Sequence, residues 1–247
     1  PVVYRFRMEI EGWTVCEVET GLREFEARDH YFYINGNRTM LRGKHDALLF
    51  PIEGAVPASV EEWLKVMKIA KEYGVNHYRF HTCCPPDAAF EAADLLGIYM
   101  EPELPFWGTV PEESGEDKQE GSQWEYLLSE GLRMLETFGN HPSFCMMSMG
   151  NELWGSKKRI GKAIQIFRKA DKRHLYTQGS NNFQFVPEIL PEEDFYVGVR
   201  LAAADMDGKN DRLIRGSYAC CDAPMGHVQT RIPSTTVNYD SAIMPQD

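Results

Sequence analysis

Four stretches of the sequence place chemistry-bearing side chains at the ends of apolar runs. They are Arg79 and His81, Glu101 and Glu103, Asn151 and Glu152 with Trp154 just behind, and Asn181 and Asn182. The set is made of carboxylates, amides, a guanidinium and an indole. It holds no Cys–His pair in one place, no phosphate-cradling glycine loop and no cluster of metal ligands, so no metal and no cofactor is expected. Carboxylates beside amide donors and aromatic platforms suit sugar chemistry. One carboxyl group protonates a leaving oxygen, a second handles an oxocarbenium-like centre, and amides bind hydroxyls.

Gly150-Asn151-Glu152 carries most of that expectation. It follows Phe144–Met149, an unbroken apolar run of the kind covered on both faces, and a charged side chain placed there needs a reason. A carboxyl walled by Trp154 and apolar neighbours would keep its proton through desolvation, as a general acid requires. The other residues also have plainer readings. Arg79 reads equally well as the partner of Glu101 or Glu103, and His81, before Thr82-Cys83-Cys84, reads as a hydrogen-bonded core histidine. Glu101 and Glu103 bracket Pro102, so alternation sends both to one side, where either could be a solvated rim charge. Neighbouring strands lie about 4.8 Å apart, so Glu103 and Glu152 could also form a carboxylate pair by themselves. Trp107 reads as packing, Met100, Met134, Met146, Met147 and Met149 as core, and Lys157-Lys158-Arg159 as a solvated face.

What must position these groups is a strand–helix alternation. Ser59 and Glu62 form a capping box before Trp63, Val66, Met67, Ala70 and Tyr73 at helical spacing, and Gly74 closes that helix. Val75–Phe80 reads as a strand, Pro85–Leu96 as a helix closed by Gly97, and Ile98–Met100 as the next strand. Ser122 and Glu125 look like a second capping box opening a helix to Phe138. Phe144–Met149, a basic amphipathic helix over 157–172, Leu175–Thr177 and Phe195–Val199 follow. This rhythm predicts an α/β fold with a parallel sheet. We count about six strands of a (β/α)8 TIM barrel, beginning near Met40-Leu41. The first forty residues differ: Val2–Ile10 and Trp13–Val18 form a hairpin around Glu11-Gly12, and Tyr31–Ile34 and Thr39–Arg42 another around Asn35-Gly36-Asn37.

Composition narrows the partners. Lys and Arg number 26 against 37 Asp and Glu, a net charge of −11, which argues against nucleic acid and against an anionic membrane surface. No apolar run approaches the roughly 20 residues that span a bilayer. The six cysteines, at 16, 83, 84, 145, 220 and 221, lack zinc-ligand spacing and read as free, mostly buried thiols. The chain begins at Pro1 without a leader, so a piece of a longer protein is expected and the compartment stays open, with export slightly favoured.

From Phe138 to Trp154 the sequence Gly-Asn-His-Pro-Ser-Phe-Cys-Met-Met-Ser-Met-Gly-Asn-Glu-Leu resembles the acid/base signature of glycoside hydrolase family 2, the β-galactosidase, β-glucuronidase and β-mannosidase group. Phe32–Asn37 with Leu41-Arg42-Gly43 is similar to that family's approach to the barrel, Gly74–His81 to its second strand, and Gly97–Glu103 to its third. Pro1–Thr20 followed by Gly21-Leu22-Arg23 resembles the end of the immunoglobulin-like β-sandwich that precedes the barrel. The resemblance implies two units, sandwich remnant and linker over 1–30 and a partial TIM-barrel domain over 31–247. It implies a retaining β-glycosidase in which Glu152 is the general acid/base, Asn151 holds the sugar 2-hydroxyl, Arg79 supports the site electrostatically, and His81, Glu103 and Trp154 line it. The likeness is loose at Lys44-His45-Asp46, so no role carries over to His45. The family's nucleophilic Glu stands at the end of the seventh strand, and no Glu follows Glu193 here. We therefore expect the last strands and the nucleophile to be missing and the 247 residues to be inactive alone, with a carbohydrate as substrate and possible homo-oligomers through exposed barrel edges. The competing reading is a non-catalytic carbohydrate-binding protein on a decayed barrel, with Trp107, Trp124 and Trp154 as platforms.

Overall fold

The chain opens with an antiparallel ribbon, β1 (Tyr4–Ile10) and β2 (Trp13–Thr20), in which Phe6 faces Val18 and Met8 faces Cys16. One face carries Tyr4, Phe6, Met8 and Ile10, all exposed, and the other carries ion pairs such as Arg5 with Glu19. Next comes a three-stranded antiparallel sheet of β3 (Phe25–Arg28), β4 (Tyr31–Ile34) and β5 (Asn37–Thr39). Its Asn35-Gly36 turn has φ of 48° and 76°, the left-handed pair that a two-residue hairpin needs and that Asn and Gly tolerate best. This computed structural model describes residues 1–28, 31–112, 118–180, 182 and 190–197.

From residue 43 the architecture becomes α/β. β6 (Gly43–Asp46), α1 (Val60–Glu72), β7 (His77–Phe80), α2 (Asp87–Leu96) and β8 (Tyr99–Glu101) alternate, with β6–β7–β8 a parallel sheet. After a short β9 (Thr109–Val110) come α3 (Lys118–Phe138), β10 (Met146–Ser148), β11 (Trp154–Gly155), α4 (Lys157–Ala170) and β12 (Leu175–Thr177). Parallel bridges Met100–Phe144 and Glu103–Ser148 join β8 to β10, β10 pairs with β12, and Ser180–Val197 adds a sixth strand position. Five parallel strands and a sixth bridged position at Val197 therefore stand side by side in sequence order, as in a TIM-barrel wall, and among the described residues they do not close.

Helix ends follow the sequence signals. Ser59 Oγ accepts the Glu62 N–H at 3.3 Å, and Ser156 Oγ accepts that of Arg159 at 3.4 Å. On α4, Ile160, Ala163, Ile164 and Phe167 form the buried stripe. Gly131 of α3 lies directly under Phe167, where a Cβ would come within 2.4 Å of the ring, so these two helices meet at a residue without a side chain. His141 clamps the loop before β10 to α2: its Nδ1 is 2.6 Å from Asp94 Oδ2 and its Nε2 is 3.1 Å from Asp87 Oδ1.

The end of the wall away from the candidate site is stoppered by the early sheet. Phe25 packs on Phe32 and on Tyr99, and with Met146, Leu175 and Phe195 they form an apolar plug. Arg23 fastens this region by donating to the carbonyls of Pro142, Phe144 and Arg173.

Three expectations need correction. The first barrel strand is Gly43–Asp46, not Met40-Leu41. Asn76 Oδ1 takes the Arg42 N–H at 2.7 Å, and the ladder to β7 begins only at Gly43 opposite His77. The helix α3 starts at Lys118, a turn before the Ser122 cap. Cys16 is an exposed thiol, while Cys83 and Cys84 are half-buried and Cys145 is buried; Cys220 and Cys221 lie outside the described residues. No helix among the described residues is long and apolar enough to cross a membrane.

Candidate active site

Strand alternation puts His77, Arg79 and, just past the strand, His81 on one side of β7, and Glu101 and Glu103 on the matching side of β8. They meet in two tiers. Below, His77 Nε2 lies 3.0 Å from Glu101 Oε2. Above, Arg79 Nε donates to Glu103 Oε1 at 2.7 Å. The second terminal nitrogen, Nη2, donates to Asn151 Oδ1 at 2.8 Å, so one guanidinium ties β7, β8 and the end of β10 together. Ser180 Oγ adds a 3.0 Å hydrogen bond to Glu103 Oε1.

Glu103 is 0% exposed. Burial pushes its carboxyl up to about 7, although Arg79 and Ser180 pull the other way. Both donors use Oε1, and the buried Oε2 has no hydrogen-bond partner; its neighbour is His81 Nδ1 at 3.9 Å. Burial and the Arg79 charge lower the His81 imidazole below its ordinary value, with Glu152 opposing. His81 is then neutral near pH 7. Because a guanidinium can only donate, Nδ1 accepts from Arg79 Nη2 at 3.3 Å, and the proton sits on Nε2. His45 stacks edge-on to His81 at 4.7 Å and is lowered too, by burial and then by Arg79 and His81.

Glu152 stands where β10 ends, and the backbone there is wound unusually. Gly150 has φ of +136°, and a Cβ on it would lie 2.4 Å from the Phe106 carbonyl oxygen, so only glycine fits. Glu152 has φ of +50°, a left-handed conformation that costs a non-glycine residue about 1–2 kcal/mol. Its N–H donates to the Ser180 carbonyl at 2.7 Å, the Asn151 N–H to the Phe106 carbonyl at 3.0 Å, and the Leu153 N–H to Asn182 Oδ1 at 2.9 Å. The neighbouring strand ends thus hold this turn in place. The Glu152 side chain is half-buried.

A family description, the TIM barrel domain of glycosyl hydrolases family 2, matches residues 25–212. The chain belongs to glycosyl hydrolase family 2. Among relatives of this family 2 chain, a β-galactosidase of Priestia megaterium is 30% identical over 167 residues, covering 65% of this chain and 16% of its own length. A β-glucuronidase of Formosa agariphila is 28% identical over 162 residues, covering 64% and 16%. The chain thus spans about a sixth of the curated relatives it matches. The crystal structure of a β-glycosidase from Bacteroides vulgatus superposes with a TM-score of 0.58 at 22% identity over 72% of this chain and 24% of that one, a likeness of fold.

In this family 2 barrel, Arg79, His81, Glu103 and Asn151 come together as one cluster with Glu152 beside it. Trp154 instead opens a short parallel ribbon, paired with Thr109 of β9, and is 46% exposed. Neither Glu101 nor Glu103 is a solvated rim charge, since both are buried against strand partners. Trp107, read from the sequence as packing, is 61% exposed, with its ring edge-on to His81 at 5.4 Å. Ser180 carried no sequence signal beyond the Gly179-Ser180 step ahead of two asparagines. Asn182 braces the turn, and Asn181 lies outside the described residues. Among the described residues no group of three His, Cys, Asp or Glu is arranged to hold a metal ion.

Proposed function

We propose that this chain supplies the acid/base side of a β-glycosidase that cleaves terminal β-glycosidic bonds with retention. Glu152 is the general acid/base in this reading. Asn151 binds the sugar 2-hydroxyl, Arg79 supports the charge of the site, and His81, Glu103 and Trp154 line it. The observation that carries the reading is the Glu152 turn, a carboxylate held at positive φ beside an amide that Arg79 has already oriented. A stable domain keeps such strain where function repays it. The intact Arg79–Glu103–Asn151 cluster also speaks against a decayed barrel.

A retaining site needs a second carboxylate about 5–5.5 Å from the first. Glu103 is a poor choice, because both donors on it hold Oε1 and it stands opposite Ser148, four residues before Glu152. No Glu follows Glu193, so the nucleophile is assigned to sequence beyond these 247 residues, which alone are expected to be inactive. The β1–β2 ribbon, with its exposed apolar face, fits the end of an immunoglobulin-like sandwich over 1–30 that precedes a barrel domain over 31–247. The outer edge of β6 has no partner strand among the described residues, and self-association through it is expected. A monomer in light scattering at every concentration would count against that.

The test compares a longer chain of this protein with its Glu152→Gln variant on aryl β-glycosides of graded leaving-group acidity. Loss of the acid should cost about 10²–10⁴-fold on poor leaving groups and far less on dinitrophenyl substrates, which depart without a proton. A uniform loss across the series would remove Glu152 from the acid role.

A further inference from the structure

We infer that Trp107 is the platform for the leaving group, taking a flat apolar ring, either an aryl group or the C–H face of a second pyranose, on the outer side of Glu152. The inference rests on the acid/base reading of Glu152 and adds to it the position and chemistry of what leaves.

The backbone around Trp107 is clipped to the segment that carries Glu152. The Phe106 carbonyl accepts the Asn151 N–H at 3.0 Å, and the Gly108 carbonyl accepts the Trp154 N–H at 3.0 Å. Residue 107 thus lies between two hydrogen bonds that land on either side of Glu152-Leu153. Phe106 is turned inward, edge-on to the buried Trp124 at 6.2 Å, which anchors the loop in the core. Trp107 is turned the other way. An indole left 61% exposed forgoes much of the transfer free energy its burial would give, about 25 cal/mol per Å². The loop that presents it is nonetheless fastened at both ends, so the ring is preorganised rather than trailing.

Its place fixes what it can contact. The ring meets His81 edge-on at 5.4 Å, and His81 in turn senses both Arg79 and Glu152. Depth orders the site: Glu103 and Asn151 are buried, His81 is partly covered, and Trp107 is at the rim. A sugar whose hydroxyls reach Asn151 and Arg79 occupies the inner part, its glycosidic oxygen meets Glu152, and the departing group points outward over Trp107. An indole face binds flat apolar rings through dispersion and its quadrupole.

The test is calorimetric binding to the 247-residue chain of methyl and phenyl β-glucuronides and β-galactosides, with the corresponding β-linked disaccharides. The wild-type chain should bind the phenyl glycoside or the disaccharide roughly three- to tenfold more tightly than the methyl glycoside. Gain on the phenyl arm assigns the face to aryl groups, and gain on the disaccharide arm assigns it to a pyranose. Trp107→Ala should erase the preference while leaving methyl glycoside affinity unchanged, Trp107→Phe should restore part of it, and Trp13→Ala, on the exposed β1–β2 ribbon, should keep it. A preference that survives in Trp107→Ala overturns the platform and leaves the glycosidase reading standing. Failure of every glycoside to bind a folded wild-type chain overturns the platform, while the glycosidase reading stands or falls by the Glu152→Gln comparison on the longer chain.

Discussion

Arg79 holds Asn151 by its Oδ1 at 2.8 Å, and that single contact decides which way the amide faces. With the oxygen committed to a cation, the Nδ2 group is the free donor end, suited to a hydroxyl oxygen. Because the same guanidinium grips the buried Glu103, the orientation of Asn151 is coupled to a carboxyl it does not touch.

Removing the guanidinium should therefore unsettle more than one strand. Arg79→Met takes from the buried Glu103 carboxyl its charged partner, and the loss of a buried partner costs about 3–5 kcal/mol. Urea unfolding of the variant measures it. A second change, Glu103→Gln, should recover part of the loss, and a double-mutant cycle without coupling would contradict the pairing.

Glu103 also predicts a pH dependence. Its folded value, near 7, lies above that of an unfolded glutamate, so the native state binds the extra proton. Stability from this group is fully present below about 4.3, the unfolded value, and is lost as the pH rises through 7. In Glu103→Gln the fall in stability between these limits should be reduced. Denaturant midpoints measured across that range give the comparison.

His141 predicts a second one from a different cause. Burial alone would lower its value, but the hydrogen bonds and charges of Asp94 and Asp87 outweigh it and raise the imidazole above its ordinary value. Its contribution is complete below an ordinary histidine pKa of about 6.5 and is lost as the pH climbs through the raised one. His141→Gln should lose about 1–3 kcal/mol at pH 6 and less at pH 9. An equal loss at both would mean that packing on Phe90, at 5.3 Å, outweighs the charge.

The contact between α3 and α4 offers a steric prediction. Gly131→Ala improves helix propensity by about 1 kcal/mol, yet its methyl group would press on the fully buried Phe167 ring and on Leu104. Overpacking of this kind costs about 1–3 kcal/mol, so the variant should melt below the wild-type chain. A higher melting temperature would show that the helices can slide apart freely.

Much of this arrangement was legible in the chain. The strand at β7, the three helix-closing glycines at 74, 97 and 139, and the Ser59 cap announce themselves through local chemistry. The grouping of Arg79, Glu103 and Asn151 followed once they were placed at neighbouring strand ends. Gly43–Asp46 was hidden because Gly-Lys-His-Asp has no apolar pattern; its lining side chains are polar and the ladder to β7 alone makes it a strand. Phe25–Arg28 was hidden because no Asn-Gly signal separates it from its partner strand, and its anchor is Tyr99, far along the chain. Trp107 misled because its residue type favours burial, whereas its loop is held by backbone bonds that no side-chain pattern reports.

The stopper formed by Phe25 and Phe32 has a consequence for the order of assembly. On the ribosome this hairpin is made before any of the strands it closes, and its partners Tyr99, Met146 and Leu175 arrive some 70–150 residues later. Arg23 waits as long, since it is fastened to the carbonyl of Arg173, 150 positions away. Contacts of such separation must repay a large loop-closure entropy before they stabilise anything, which slows folding. The first thirty residues are thus among the last to be secured, and until then their apolar side chains stand open to whatever else is nearby.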